Sequence, residues 1–461
     1  MGITLIILSA LLFTAANYLG QLYILNWIAL LPFLYYIFIS SKFNYKQLFI
    51  RGWFLGFFIL LFSGNFLYHS IKLYTSAPFI VIVLLLILLF LFLSLIYGLF
   101  LIIYYYLQKK ISSISHFNPY LFAALWTAME LSRHYLLGFF PIANPAYTQI
   151  EFLSFIQLAE FGGIWILTFI IILSNALLYK IIFIKENRMK NAAVFLIIIF
   201  LIFSFGLLRL NFDFTPAAEE NISLGLINTQ IKQEVKWSQG QLQPNIDLLL
   251  NSASDLKKAD LIIAPETNIT FDFYQNGYYQ KDFLTEIEER FNNPLQIGSL
   301  ASRKGVQGRF NSSFLISKKG EIIDRYDKNL LLYFGETYPF IELLNHFTPY
   351  NFSSLNAGST EGIFEVNNLS WKTVICSEIL YPEYVQTQKN MDFIINQTNE
   401  AWFNDSRLLK NIMWQAAVIR AVENRIPIIK TGNQAHSGVV YPSGRYKKVD
   451  PEFNYHLLKL N

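Results

Sequence analysis

From its N-terminus to Leu210 the chain alternates long apolar runs with short polar breaks, and beyond that point the pattern changes. Seven apolar runs lie near 3–19, 21–40, 52–71, 78–107, 117–137, 160–184 and 191–209. Each has about the 20 residues that a helix needs to cross a bilayer core, or more, so residues 1–210 are expected to form a membrane domain of about seven helices. The third, fifth and sixth runs carry polar residues: Asn65 and His69, then Glu130, Arg133 and His134, then Glu160 beside Gly162-Gly163. Such side chains inside a span usually face other helices or the interface. No Lys or Arg precedes the first run and no Cys follows it closely, so it reads as a retained anchor.

Residues 211–461 show the pattern of a soluble α/β domain. Short β-rich runs stand at 222–228, 260–266, 294–300, 312–317, 373–378, 393–399 and 427–432, several of them continuously apolar, as in strands buried on both faces. The stretch from Asp405 to Arg425 predicts an amphipathic helix. Asp405 or Ser406 would cap it, and Leu409, Ile412, Met413, Ala416, Ala417 and Ile419 would form its apolar face. Helices layered on sheet follow from this alternation. There is no internal repeat.

Charge divides at the same place. Residues 1–210 hold 12 Lys/Arg and 4 Asp/Glu, and residues 211–461 hold 24 and 28, so the net charge of +4 sums a basic half and a mildly acidic one. No single basic face remains to suggest a nucleic-acid partner. Within the first half the basic residues fall in alternate loops: Lys42, Lys46 and Arg51, then Lys109 and Lys110, then Lys185, Arg188 and Lys190. The positive-inside rule makes these loops cytoplasmic, and an odd number of spans then puts everything after Leu210 outside.

Three positions in the outer domain suggest chemistry. Glu266 closes the apolar run LIIAPE, where a desolvated carboxylate can serve as a general base; a solvated loop acid is the plainer explanation. Lys328 lies in RYDKNLLLYFGETYPF, where a buried ammonium would stabilise an oxyanion; a surface Lys is the commoner case. Cys376, in TVICSEILYPE, is the single Cys, so it has no internal disulfide partner and is either a nucleophile or a small buried hydrophobe. The outer domain's His346, His436 and His456 lack paired zinc spacing, and glycine-rich phosphate loops, G-x-S-x-G elbows and Rossmann fingerprints are absent. No metal or cofactor is expected.

Seven spans followed in order by KWSQGQ (236–241), APE (264–266), YDKNLLLYFGE (326–336), ICSE (375–378) and NEAWFNDS (399–406) resemble the bacterial apolipoprotein N-acyltransferases. The helix WQAAVIRAVENRIPIIKTGN (414–433) adds to the match, and the resemblance runs to about Arg445. It implies a nitrilase-like α-β-β-α sandwich on a multi-span α-helical membrane domain. It also implies a Glu266-Lys328-Cys376 triad supported by Glu336 and Glu378, with Trp237, Phe334 and Trp402 as contacts for acyl chains. The activity implied is acyl transfer from a membrane phospholipid, through a thioester on Cys376, to the α-amine of an S-diacylglyceryl-cysteine at a lipoprotein N-terminus. The location implied is the bacterial inner membrane, with the catalytic domain in the periplasm. A tethered amidase, or an idle homologue that binds lipid or lipoprotein, would share these motifs. The chain departs from the family in Tyr333, where Pro is common, in Ser377, where an aromatic is common, and in showing no eighth span after Pro427.

Overall fold

The computed structural model describes residues 2–38, 44–74, 77–111, 117–137, 143–212, 222–275, 277–333, 335–338, 353–387, 391–404 and 406–460. The chain divides into two compact units. One comprises Met1–Asp213 with Ser406–Glu423, the other Phe214–Asp405 with Asn424–Asn461.

The first unit is helical among its described residues. Five of its segments are long and apolar enough to cross a membrane: Gly20–Phe38, Tyr45–Ser63, Phe79–Lys110, Ala159–Phe183 and Arg188–Asn211. Gly2–Tyr18 is a shorter apolar helix, and Pro119–Leu137 carries Glu130, Arg133 and His134. The run expected at 52–71 is instead two helices, Tyr45–Ser63 and Phe66–Tyr74, because Gly64 ends the first; Asn65 and His69 are exposed there. The outward side chains are those that hydrocarbon solvates. Arg188–Asn211 exposes Leu196, Ile197, Phe200, Leu201, Leu207 and Leu208. Where helices meet, small residues let the backbones approach: a Cβ on Gly52 would lie 2.5 Å from the Tyr97 carbonyl oxygen, and one on Gly56 would lie 2.4 Å from the Tyr97 ring.

Most of the polar residues within the spans are paired. Arg133 donates to Glu130 at 2.6 Å, and Arg209 donates to Glu160 at 2.7 and 2.8 Å. Ala159–Phe183 is kinked at Gly162-Gly163, the latter with φ 58°, and the freed Ile164 N–H donates to Glu423 Oε1 at 3.0 Å. Glu423 also pairs with Arg420, which donates to Tyr147 Oη at 3.0 Å. Both belong to the predicted amphipathic helix, which spans Arg407–Asn424 with Ser406 Oγ accepting from Leu409 N–H at 3.4 Å; Asp405 lies outside the described residues.

The second unit is built on two six-stranded sheets. The first has the order β12-β1-β2-β3-β4-β5, made of Tyr455–Leu460, Ile222–Ile227, Leu261–Ile263, Leu295–Arg303, Val306–Ile316 and Ile322–Asp327. The second has the order β11-β10-β9-β8-β7-β6, made of Tyr446–Lys448, Gly438–Val440, Ile428–Asn433, Phe393–Asn399, Leu369–Ile375 and Ile363–Val366. In each, three central strands run parallel and the outer ones antiparallel. The seven expected strands are all present and include every parallel one. The helices Leu242–Ser254 and Gly277–Arg290 cover one face of the first sheet, packing Leu249, Leu250, Phe283 and Ile287 on Ile262, Leu295 and Phe314. On its other face the first sheet meets the second through polar side chains: Gln296 of β3 donates to Thr373 and Gln397 and accepts from Trp371 Nε1, all within 3.1 Å. The satisfied polar layer fixes the register of one sheet on the other, because a slip would strand buried amides without partners.

Candidate active site

Glu266, Lys328 and Cys376 each follow the end of a strand, past β2, β5 and β7 respectively, and all three are buried. Parallel strands bring their carboxyl ends to one edge of a sheet, where the backbone leaves the ladder and side chains become available for chemistry. Glu266 is held against the first sheet because β3 has no side chain beneath it. A Cβ on Gly298 would lie 2.6–2.7 Å from Thr267 N, Glu266 Cα and the Pro265 carbonyl oxygen. Cys376 has a left-handed backbone, φ 51°, and opens a 3-10 turn, Cys376–Leu380. Thr267, next to Glu266, is also left-handed at φ 47°. A non-glycine residue in this region is strained, and two such residues at one site mark backbone held for placement rather than for stability.

A single amide joins the two carboxylates. Asn311 Nδ2 donates to Glu266 Oε1 at 2.6 Å and to Glu336 Oε1 at 2.7 Å. The second oxygen of Glu266 accepts from the Asn399 backbone N–H at 2.7 Å. Glu336 Oε2 accepts from Lys328 Nζ at 2.6 Å and from Leu332 N–H at 2.9 Å. Glu378, fully buried, accepts from the N–H groups of Ile375, Asn329 and Leu330 and from Tyr326 Oη, at 2.7–3.1 Å. It thereby ties the Lys328 segment of the first sheet to the Cys376 turn of the second.

Electrostatics set the resting protonation. Burial and then the Glu266 charge push the Cys376 thiol up to about 12, with Lys328 pulling the other way. Burial also raises the Glu266 carboxyl, opposed first by Lys328. Burial disfavours the Lys328 ammonium, but Glu336 above all, then Cys376 and Glu266, hold it well above the usual lysine range. The thiol therefore rests protonated, and its attack on an electrophile requires a base to take the proton as the bond forms. Glu266 is the carboxylate that acts most strongly on the thiol, and Lys328 is the fixed cation beside it.

The structure thus brings Glu266, Lys328, Cys376, Glu336 and Glu378 into one constellation. Trp237 ends the short helix Gln233–Lys236 and is 40% exposed, and Trp402 is half-buried in the turn Glu400–Phe403. Phe334 lies outside the described residues. Sequence reading missed Asn311 and Lys236. Asn311 stands in a strand that also holds Gln307, Arg309, Ser312 and Ser313, so it does not stand out, and Lys236 stands in the KWSQGQ motif beside Trp237.

Residues 225–454 match the carbon-nitrogen hydrolase family model, which defines the class of the second unit. Residues 9–177 match the model of the apolipoprotein N-acyltransferase N-terminal domain. With both matches in this order, the chain belongs to the apolipoprotein N-acyltransferase family. It is 27% identical over 349 residues to the apolipoprotein N-acyltransferase of Geobacter metallireducens, covering 72% of this chain and 66% of that protein. Against the apolipoprotein N-acyltransferase of Haemophilus ducreyi, identity is 28% over 376 residues, covering 78% of this chain and 72% of that protein. The chain thus spans slightly under two thirds of the first relative's length. An amidase from Nesterenkonia sp. is similar at 16% identity with a TM-score of 0.38, covering 52% of this chain and 90% of that one.

Proposed function

We propose that this protein transfers an acyl chain from a membrane phospholipid to the α-amine of an S-diacylglyceryl-cysteine at the N-terminus of a lipoprotein, in the bacterial inner membrane. The observation that carries the reading is the meeting of Glu266, Lys328 and the single Cys in one buried site, in a chain whose N-terminal half matches the family's membrane domain. In the first step Glu266 takes the thiol proton while Cys376 sulfur attacks the ester carbonyl. Lys328, with backbone N–H at the Cys376 turn, stabilises the tetrahedral oxyanion. The lysophospholipid alkoxide leaves with the proton from Glu266, and a thioester remains. The acceptor amine then attacks the thioester, Glu266 takes the amine proton, and the amide forms as the thiol is restored. Lipid substrates explain why the domain is joined to helices of membrane-spanning length: both reacting groups sit at the bilayer surface, so the helices would hold the site at that height. Trp237, Phe334 and Trp402 are the proposed contacts for acyl chains.

The test is the intact mass of purified protein after incubation with phospholipid and no acceptor. An acyl adduct on Cys376, lost in Cys376→Ser and discharged to a diacylglyceryl-cysteine peptide, is the expected result. If the adduct discharges only to water, giving free fatty acid, the domain is a hydrolase. If no adduct forms, the thioester route fails.

A further inference from the structure

We infer that Lys236 is a positioning residue for the proposed base, its buried ammonium pinning the left-handed turn that carries Glu266. The inference rests on the proposal that Glu266 accepts the thiol proton. Lys236 is 2% exposed, and its Nζ donates to Thr267 Oγ1 at 2.9 Å and to the Glu266 carbonyl oxygen at 3.3 Å. These are the residue with φ 47° and its neighbour, so the ammonium grips the strained turn where it would otherwise relax. Lys236 is itself fixed, because Asn245 Nδ2 donates to its carbonyl oxygen at 3.0 Å. With the Asn399 amide turned to satisfy its neighbours, its oxygen accepts from Lys236 Nζ and Trp402 Nε1, both at 3.3 Å. Asn399 also donates its backbone N–H to Glu266 Oε2, so one ammonium braces both segments that hold the carboxylate.

A buried lysine with no salt-bridge partner among the described residues is costly, and a Met of similar size would avoid that cost but lose both hydrogen bonds to the turn. The charged groups facing Glu266 are Lys328, Glu336 and Lys236, with the Cys376 thiol. Burial raises the Glu266 carboxyl, Lys328 opposes this most although it is paired with Glu336 at 2.6 Å, and Lys236 adds a smaller opposing charge. Burial in turn pushes Lys236 down to about 7, opposed by Glu266.

The experiment measures alkylation of Cys376 by iodoacetamide in the detergent-purified full chain across pH, by intact mass. It needs neither phospholipid nor acceptor, so it stands apart from the acyl-transfer reading. Lys236→Met is expected to move the acid limb of the profile up by about one pH unit, which cuts the rate on that limb by about tenfold, because the ionised form of Glu266 loses a neighbouring cation. Lys236→Arg keeps the charge and leaves the limb where it is in the wild type. Thr267→Val keeps the charge but loses the hydroxyl, slowing alkylation without moving the limb. A folded Lys236→Met with an unmoved acid limb overturns the inference. If Lys236→Met does not fold, a folded Thr267→Val that reacts at the wild-type rate overturns it.

Discussion

Asn311 is the residue on which the charge balance of the site turns. Its Nδ2 serves two carboxylates, while its Oδ1 has no hydrogen-bond partner among the described residues, an orientation only the two acids explain. Without that amide, Glu266 and Glu336 would each lose a buried donor and repel one another across the gap. An unsatisfied buried acceptor costs about 1–3 kcal/mol, so Asn311→Leu is expected to lower thermal stability in detergent measurably. It should also raise the Glu266 carboxyl further. A carboxyl whose pKa rises is protonated up to a higher pH and then accepts no proton, so the acid limb of acyl-enzyme formation moves upward. Intact-mass kinetics at several pH values measure this; a limb that stays in place would show that Asn311 does not set the ionisation of Glu266. Glu266 and Cys376 are legible in the sequence because each lies at the end of an apolar run, and Lys328 because it stands among apolar residues in RYDKNLLLYFGETYPF. Asn311 is not, because the partners of an amide on a strand depend on which loops the fold brings above it.

At the scale of elements, the site is a problem of aligning strand ends from two sheets. β5 supplies Lys328 and β7 supplies Cys376, and Glu378 is the tie between them, accepting four hydrogen bonds from Tyr326, Asn329, Leu330 and Ile375. A carboxylate presents only acceptors. An amide would turn an NH2 toward N–H donors, so Glu378→Gln leaves one side mispaired. We expect Glu378→Gln to fold with reduced stability and to slow acyl-enzyme formation at least tenfold. A rate equal to wild type would mean that the two segments are aligned without it. The parallel strands β1, β2, β3, β7, β8 and β9 were legible as apolar runs because they are buried on both faces. The edge strands β5, β6, β11 and β12 escaped notice: IIDRYD, IFEV, YKK and YHLLKL mix exposed and buried positions over short lengths, and pairing with a neighbour, not their own pattern, makes them strands. The break at Gly64 likewise follows from packing that a hydropathy average does not contain.

For the whole molecule the open quantity is the parity of the spans, because parity decides on which side of the membrane the thiol lies. The segment Phe79–Lys110 is the place where parity is decided. Its 32 residues make a helix of about 48 Å at 1.5 Å per residue, against a hydrocarbon core of about 30 Å. Ser94 interrupts it, but with helical φ −74° and ψ −11° and its N–H donating to the Phe90 carbonyl at 3.0 Å, so the turn is helical there and a single crossing is the expectation. The excess length is taken up by tilt or by projection into the headgroups. The positive-inside rule predicts that Lys109 and Lys110 end this segment in the cytoplasm and, with an odd count of spans, that the second unit lies in the periplasm. In a Cys376→Ser background, single cysteines placed by Lys109→Cys and Tyr278→Cys report the two sides; Tyr278 is 73% exposed in the second unit. A membrane-impermeant maleimide applied to spheroplasts is expected to label Tyr278→Cys at once and Lys109→Cys only after lysis. The reverse order would mean that one of the seven runs does not cross the bilayer. The second unit would then face a compartment without mature diacylglyceryl acceptors, and the acyl-transfer proposal would fall with the topology.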